Sequence, residues 1–274
     1  MSTASPGLPA YFDAPRPPGA RRGVAALAHR GFARPGGVDN GLENSMAAFA
    51  AAVDLGFRYV ETDAHGTSDG VAVALHDESL DRTTDSRGLV ADLPWSVVRR
   101  ARIGGTEAVP RLEDLLGTWP DLRVNVDVKG DSGVAPVADA VERTAAHDRV
   151  CVTSFDVGRR RATVARLSRP VATSAGRREV AAFLAAARLR VDPLARWALR
   201  DAHALQVPVT DGPLTVVDAT TVAAAHRAGR AVHVWTVNDA HEMRRLLDLG
   251  VDGIVTDRAD LLRDVLRERR LWPA

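Results

Sequence analysis

The chain has 274 residues, 46% of them apolar, and a formal net charge of +1. This is core material for one large domain or two small ones, and no uninterrupted apolar stretch approaches the roughly 20 residues that span a bilayer, so stable membrane insertion is not expected. Acids and bases are mixed along the chain, which leaves no basic face for nucleic acid, and the single cysteine, Cys151, excludes an internal disulfide and a cysteine metal cluster.

Residues 1–22 are rich in Pro, Gly and Ala and read as an irregular arm. They lack the charged start and apolar run of a secretory signal, and with one buried thiol they suggest a reducing, cytoplasmic location. The first strand, 24–28, ends at His29-Arg30-Gly31. A helix follows over 46–55, with Asn44 or Ser45 as its cap and Gly56 as its stop. The next strand begins at 58. Side chains alternate along it, so Tyr59, Glu61 and Asp63 share one face and Val60 and Thr62 the other. A polar turn over 67–70 and an apolar run over 71–75 then deliver His76. Residues 77–110 show little periodicity beyond a possible short helix at 93–100, and about 66–109 reads as an excursion from the main pattern.

A helix over 112–119 leads into the strand 122–128, where Val124, Val126 and Val128 oppose Asn125, Asp127 and Lys129. The chain holds 36 Lys plus Arg, of which Lys129 alone is lysine. A compact ammonium on a thin stem fits where a planar guanidinium does not, and that points to a tight site. From 137 the alternation repeats: helix 137–146, strand 150–153, helix 157–167, strand 171–173, helix 179–188, strand 204–207, helix 216–228, strand 231–237, helix 240–249, strand 253–256 and helix 259–269. Eight strands, each followed by a helix, describe an α/β fold, a single (β/α)8 TIM barrel over 23–274.

Catalytic groups in such a barrel gather at the C-terminal strand ends. His29, Glu61, Asp63, Asp127, Lys129, Ser154, Trp235 and Thr256 all fall at or near such ends. Three carboxylates without cysteine suit a hard divalent cation, Mg²⁺ or Ca²⁺, with Zn²⁺ less favoured. His29 and His76 are candidates for a general base and a general acid, and Arg30 and Lys129 add positive charge for an anionic substrate.

The segments His29-Arg30-Gly31, Glu43-Asn44-Ser45, Glu61-Thr62-Asp63, Thr67-Ser68-Asp69-Gly70, His76-Asp77, Asn125 to Lys129, Trp235 to Asn238 and Gly253 to Asp257 together resemble the glycerophosphodiester phosphodiesterase family. The resemblance implies a TIM barrel with a small insertion after the second strand, here about 66–109. It implies His29 and His76 as the acid/base pair, Glu61, Asp63 and Asp127 as metal ligands, and Arg30 and Lys129, with Trp235, as substrate-binding residues. Mg²⁺ or Ca²⁺ is the expected ion, Mn²⁺ or Zn²⁺ less so. The implied reaction is hydrolysis of a small glycerophosphodiester to sn-glycerol 3-phosphate and an alcohol. Where the family usually carries Glu as its third ligand, this chain has the shorter Asp127. Two other readings remain: a lysophospholipase D-like enzyme with an apolar groove formed by loops 77–110 and 188–202, and a barrel that binds phosphodiesters without turnover.

Overall fold

The computed structural model describes residues 7–18 and 23–272. Eight parallel strands form the barrel: β1 Ala25–His29, β2 Tyr59–Gly66, β3 Arg123–Val128, β4 Val150–Thr153, β5 Ala172–Thr173, β6 Ala204–Pro208, β7 Ala231–Trp235 and β8 Gly253–Thr256. They lie in the order β5-β4-β3-β2-β1-β8-β7-β6. A parallel bridge between Ser174 and Ala204, with His203 N–H donating to the Thr173 carbonyl at 2.9 Å and Ala175 N–H to the Ala204 carbonyl at 2.8 Å, closes the ring between β5 and β6. The eight strands stand where the hydrophobic alternation puts them.

Eight helices pack outside: α1 Met46–Asp54, α2 Leu112–Thr118, α3 Val134–Arg143, α4 Val157–Val164, α5 Arg177–Arg188, α6 Ala219–Arg227, α7 Ala240–Leu249 and α8 Ala259–Glu268. Their starts follow from capping chemistry, because the first N–H groups of a helix have no partner within it. Ser45, Asp156, Asp218 and Asp239 accept from backbone N–H groups of α1, α4, α6 and α7. Helix α3 begins at Val134, three residues before the expected start, because Pro136 falls within the first turn, where an N–H is not required. The short helix Asp192–Ala198 falls in the stretch read as loop 188–202, and the small hairpin Thr210–Asp211 with Leu214–Thr215 lies between the expected strand 204–207 and helix 216–228.

Strand parity divides the core. Val60, Val124, Val126 and Val128 face the helix layer, whereas Leu27, Tyr59, Cys151, Ala172 and Val255 fill the barrel interior. Between the helix layers Arg160 is 1% exposed. It forms an ion pair of 2.8 Å with Glu179 and donates to the Ser174 carbonyl, which ties α4 and α5 to the end of β5. Among the described residues no helix is long and apolar enough to cross a membrane.

The expected irregular arm, of which residues 1–6 and 19–22 lie outside the described residues, closes the base of the barrel. A single turn, Ala10–Phe12, sits beneath the strands. Tyr59 Oη donates to the Tyr11 carbonyl at 2.8 Å, and the two rings meet edge to face at 5.4 Å. Phe12 packs against the imidazoles of His203 and His233.

The Tyr11 ring is fully buried, yet its hydroxyl has no hydrogen-bond partner among the described residues. A buried polar atom without a partner costs stability, and a large apolar ring contributes it. Tyr11→Phe is therefore expected to be neutral or stabilising, while Tyr11→Ala destabilises by about 3–5 kcal/mol. Urea unfolding midpoints of the two variants check the pair.

Burial pushes the His233 imidazole down to about 4, against a smaller opposing pull from Asp252. Its folded value lies below its unfolded one. Its neutral form is thus fully compatible with folding above about pH 6.5, and stability is lost as pH falls from there towards 4. Thermal midpoints measured across that window should drop less steeply in His233→Gln than in the parent chain.

Candidate active site

The parallel register of the first three strands sets the site. His29 lies beside Glu61, Glu61 beside Asn125, and Asp63 beside Asp127. Neighbouring strands are about 4.8 Å apart, so the Asp63 and Asp127 carboxylates project into one small volume at the barrel mouth. The Lys129 ammonium stands between them, its Nζ 2.8 Å from Asp63 Oδ1 and 2.8 Å from Asp127 Oδ2. Burial alone would lower the affinity of this ammonium for its proton, but the two carboxylates outweigh it and hold the lysine pKa well above its ordinary value.

Asp63 collects further donors. Arg30 Nε is 3.1 Å from Asp63 Oδ2, close enough for an ion pair though not aligned for a hydrogen bond, and the Asn44 amide donates to the same oxygen at 3.1 Å. Asn44 Oδ1 in turn accepts from Thr62 Oγ1 at 2.8 Å, so Asn44 serves the site while Ser45 caps α1. Both Arg30 and Asn44 have left-handed backbones, with φ of 53° and 60°. This curls the loop after β1 back over the carboxylates. The Arg30 guanidinium also donates to Glu43 at 3.1 Å, and its backbone N–H donates to Glu61 at 3.2 Å.

The three carboxylates respond differently. Burial, reinforced by the charge of Asp63, pushes Glu61 up to about 7. Burial also raises Asp127, with Lys129 opposing it. For Asp63 the same burial penalty is outweighed by Lys129 and Arg30, and it is held below its ordinary value.

Two imidazoles flank the carboxylates. His29 Nδ1 is 2.6 Å from Asp257 Oδ1, and Asp257 is itself held by Asn238 Nδ2 at 2.8 Å. His76 Nδ1 is 2.6 Å from Asp77, which also accepts from Arg82 at 2.6 and 3.0 Å. A carboxylate on Nδ1 fixes the tautomer and orientation of each ring and leaves Nε2 for chemistry. His29 Nε2 lies 3.8 Å from Glu61. Burial pulls the His29 pKa down, but Glu61 and the Asp257 hydrogen bond prevail and raise it.

His29, Arg30, Glu61, Asp63, His76, Asp127 and Lys129, with Trp235, line one cavity of about 190 Å³. Ser154 lines the same cavity, whereas Thr256 is buried outside it and donates to Asn238 at 3.0 Å; Trp235 meets Phe155 edge to face at 5.8 Å on the rim. Loop 188–202 does not reach this cavity, and Trp95 of the other expected groove loop packs into a small separate core with Val73, Leu75 and Val98.

Several lining or supporting residues had no role in the sequence reading. Gln206 donates to Asn125 at 2.8 Å from across the barrel, and the inward parity of Ala204, Gln206 and Pro208 is the signal that locates it. His65 shares the Glu61 and Asp63 face of β2 and lies 3.2 Å from the His76 carbonyl. Asp257, which pins the His29 ring, and Arg82, which holds the Asp77 partner of His76, come from loops that carry no periodic signal.

The fold and the mouth define a barrel enzyme site for an anionic ligand, and comparison with known proteins agrees. The glycerophosphoryl diester phosphodiesterase family model matches residues 29–261, and the chain belongs to that family. It is 45% identical over 253 residues to the probable glycerophosphodiester phosphodiesterase 2 of Mycobacterium tuberculosis, covering 91% of this chain and 93% of that one. It is 28% identical to a glycerophosphodiester phosphodiesterase of Bacillus altitudinis over 85% of this chain and 94% of that protein. In fold it is similar to a putative glycerophosphoryl diester phosphodiesterase of Silicibacter pomeroyi, with a TM-score of 0.74, 23% identity and coverage of 96% and 99%. A phosphodiesterase of Oleispira antarctica solved with the product sn-glycerol-3-phosphate has a TM-score of 0.72 at 21% identity, covering 94% of this chain and 99% of that one.

The family is generally dependent on a divalent cation. Among the described residues no three His, Cys, Asp or Glu side chains close into a finished metal cage. The physical reason is Lys129, whose ammonium stands between two of the three carboxylates. The donor chemistry nevertheless fits a hard cation: the set is all oxygen, and Asp127 Oδ1 is buried with no partner.

The gap between Asp63 and Asp127 admits an ammonium but is poorly matched to a broad guanidinium fork. Lys129→Arg is expected to lower kcat/KM by about 10²–10³-fold, nearly as much as Lys129→Ala. Steady-state kinetics on a glycerophosphodiester compares the two.

Proposed function

We propose that this chain hydrolyses glycerophosphodiesters to sn-glycerol 3-phosphate and an alcohol, with His29 and His76 exchanging the protons. The observation that carries the reading is the pair of imidazoles, each pinned through Nδ1 by a carboxylate, on a cavity that also holds Arg30 and Lys129. Arg30 and Lys129 offer positive charge to the phosphate, whose own charge redistributes as the new bond to phosphorus forms. One imidazole Nε2 takes the proton of the glycerol hydroxyl as it attacks phosphorus, and the other gives a proton to the departing alkoxide as the P–O bond breaks; water then opens the cyclic phosphate to sn-glycerol 3-phosphate with the two roles reversed. Asp257 and Asp77 stabilise whichever ring becomes imidazolium.

Glu61, Asp63 and Asp127 are the residues that would hold a divalent cation, Mg²⁺ or Ca²⁺ before Mn²⁺ or Zn²⁺, since the set is carboxylate without thiolate. Held there, it would supply Lewis-acid stabilisation of phosphate charge. Burial and the charge of Asp63 push Glu61 up to about 7, a burden that a bound cation would offset. Trp235 on the rim offers an apolar wall to the substrate. Loop 188–202 lies away from the cavity and Trp95 is committed to its own core, so neither stretch expected to form an apolar groove lines the site, which favours a small water-soluble diester over a lysophospholipid.

Hydrolysis of a panel of glycerophosphodiesters and lysophospholipids, after EDTA and again with Mg²⁺ or Ca²⁺ restored, tests the reading. Turnover is expected on the diesters, lost with chelator and regained with the cation. His29→Ala and His76→Ala should each lower kcat by about 10²–10⁴-fold. Wild-type turnover in either variant removes that histidine from its role, and an inert panel sinks the reaction itself.

A further inference from the structure

A second groove, of about 640 Å³, opens beside the catalytic cavity and shares Phe155 with it. Its other walls are Asp156, Val157 and Gly158 from the cap and first turn of α4, after β4, and Arg177, Arg178 and Ala181 from the start of α5, after β5. Both segments lie at the C-terminal ends of their strands, so the groove belongs to the same face of the barrel as the site. Phe155 is 46% exposed and joins the two spaces. The Lys129 ammonium lies 5.8 Å from the centre of its ring, and the Arg177 guanidinium lies 5.2 Å from the same point.

The arginines of this region fall into two groups. Arg159 pairs with Asp131 at 3.0 Å, Arg160 with Glu179 at 2.8 Å, and Arg161 with Asp201. Arg177 and Arg178 are exposed, and among the described residues neither has a carboxylate within ion-pair distance. The one acid in the groove, Asp156, caps α4 through the Arg159 N–H at 2.8 Å. Arg177, which lies over Phe155, and Arg178, whose charge acts on Asp156 without closing an ion pair, outnumber the one carboxylate and leave the groove positive. The Arg177 contact also occupies the aromatic face that a quaternary ammonium would need.

We propose that this groove receives the alcohol half of the diester and that Arg177 and Arg178 select an alcohol carrying its own anion, a phosphomonoester or carboxylate, over one carrying a quaternary ammonium. The inference rests on the phosphodiesterase reading for the site next door. It adds the substrate class. A guanidinium presents paired N–H donors to such an anion, and the exposed setting makes the contact salt-sensitive.

Binding separates this proposal from the reaction. Isothermal titration of the full-length His29→Gln chain, with Ca²⁺ present, compares glycerophosphoglycerol phosphate with glycerophosphocholine. The expected result is about tenfold tighter binding of the anionic diester, a preference that weakens at about 1 M salt. In the same background Arg177→Gln with Arg178→Gln should reduce the ratio of the two affinities to about one. Equal affinities in the parent, a preference that survives both substitutions, or no binding of either diester overturns the proposal. Turnover by the wild-type chain, measured separately, reports on the phosphodiesterase reading alone. Far-ultraviolet circular dichroism confirms that the substituted chain is folded, as is expected for two exposed positions.

Discussion

The structure of the barrel mouth depends on one forced juxtaposition. Parallel pairing in this register places Asp63 directly beside Asp127, both largely removed from water. Two buried like charges at that spacing are unfavourable by several kcal/mol unless a cation intervenes. Lys129, two residues beyond Asp127 on the same face, supplies one from within the chain. Once the pair is bridged, Arg30 and Asn44 can gather on the outer oxygen of Asp63, and the loop after β1 curls over the site to bring them there. Glu61 and the second oxygen of Asp127 are left with their burial only partly offset. That residual deficit is what supports the proposal that these carboxylates would hold a divalent cation.

The segment between β2 and α2 serves the same centre. It leaves β2, returns as the antiparallel strand Ala72–Ala74, and delivers His76. Arg82 then reaches back to Asp77 and onward to Glu43, 2.7 Å away, while Glu43 also accepts from Arg30. The loop after β1 and the segment after β2 are thereby joined through one arginine and two carboxylates. The His76 ring is oriented by this chain of contacts, while His65 of β2 meets its backbone carbonyl. His29 is oriented from the opposite side of the strand ring by Asp257, at the end of β8.

Much of this was legible in the residues because a strand has a period of two. Glu61 with Asp63, and Asp127 with Lys129, announce a shared face in a stretch that would otherwise be continuous valine. The eight strands were legible for the same reason. Parity shows which way a side chain points, not what it meets, so the placement of Lys129 between the two aspartates required coordinates. Arg82, Asp257 and Phe155 lie on loops, and their partners come from distant parts of the chain. Gln206 could have been found by applying to β6 the test used on β3. The arm reads as irregular because Pro and Gly dominate its composition, and its place beneath the strands is decided by Tyr11 and Phe12, whose partners lie far along the chain.

The solitary lysine has a practical consequence beyond the reaction. With Lys129 the chain's one side-chain amine, acylating or carbamylating reagents have a single internal target, set at the catalytic cavity. Its ammonium is clasped by two aspartates, which hold its pKa well above the ordinary value, so such modification is expected to be slow. The modification rate, followed as a mass increment on one peptide, thus becomes a gauge of how firmly Asp63 and Asp127 grip that nitrogen as ions and ligands come and go.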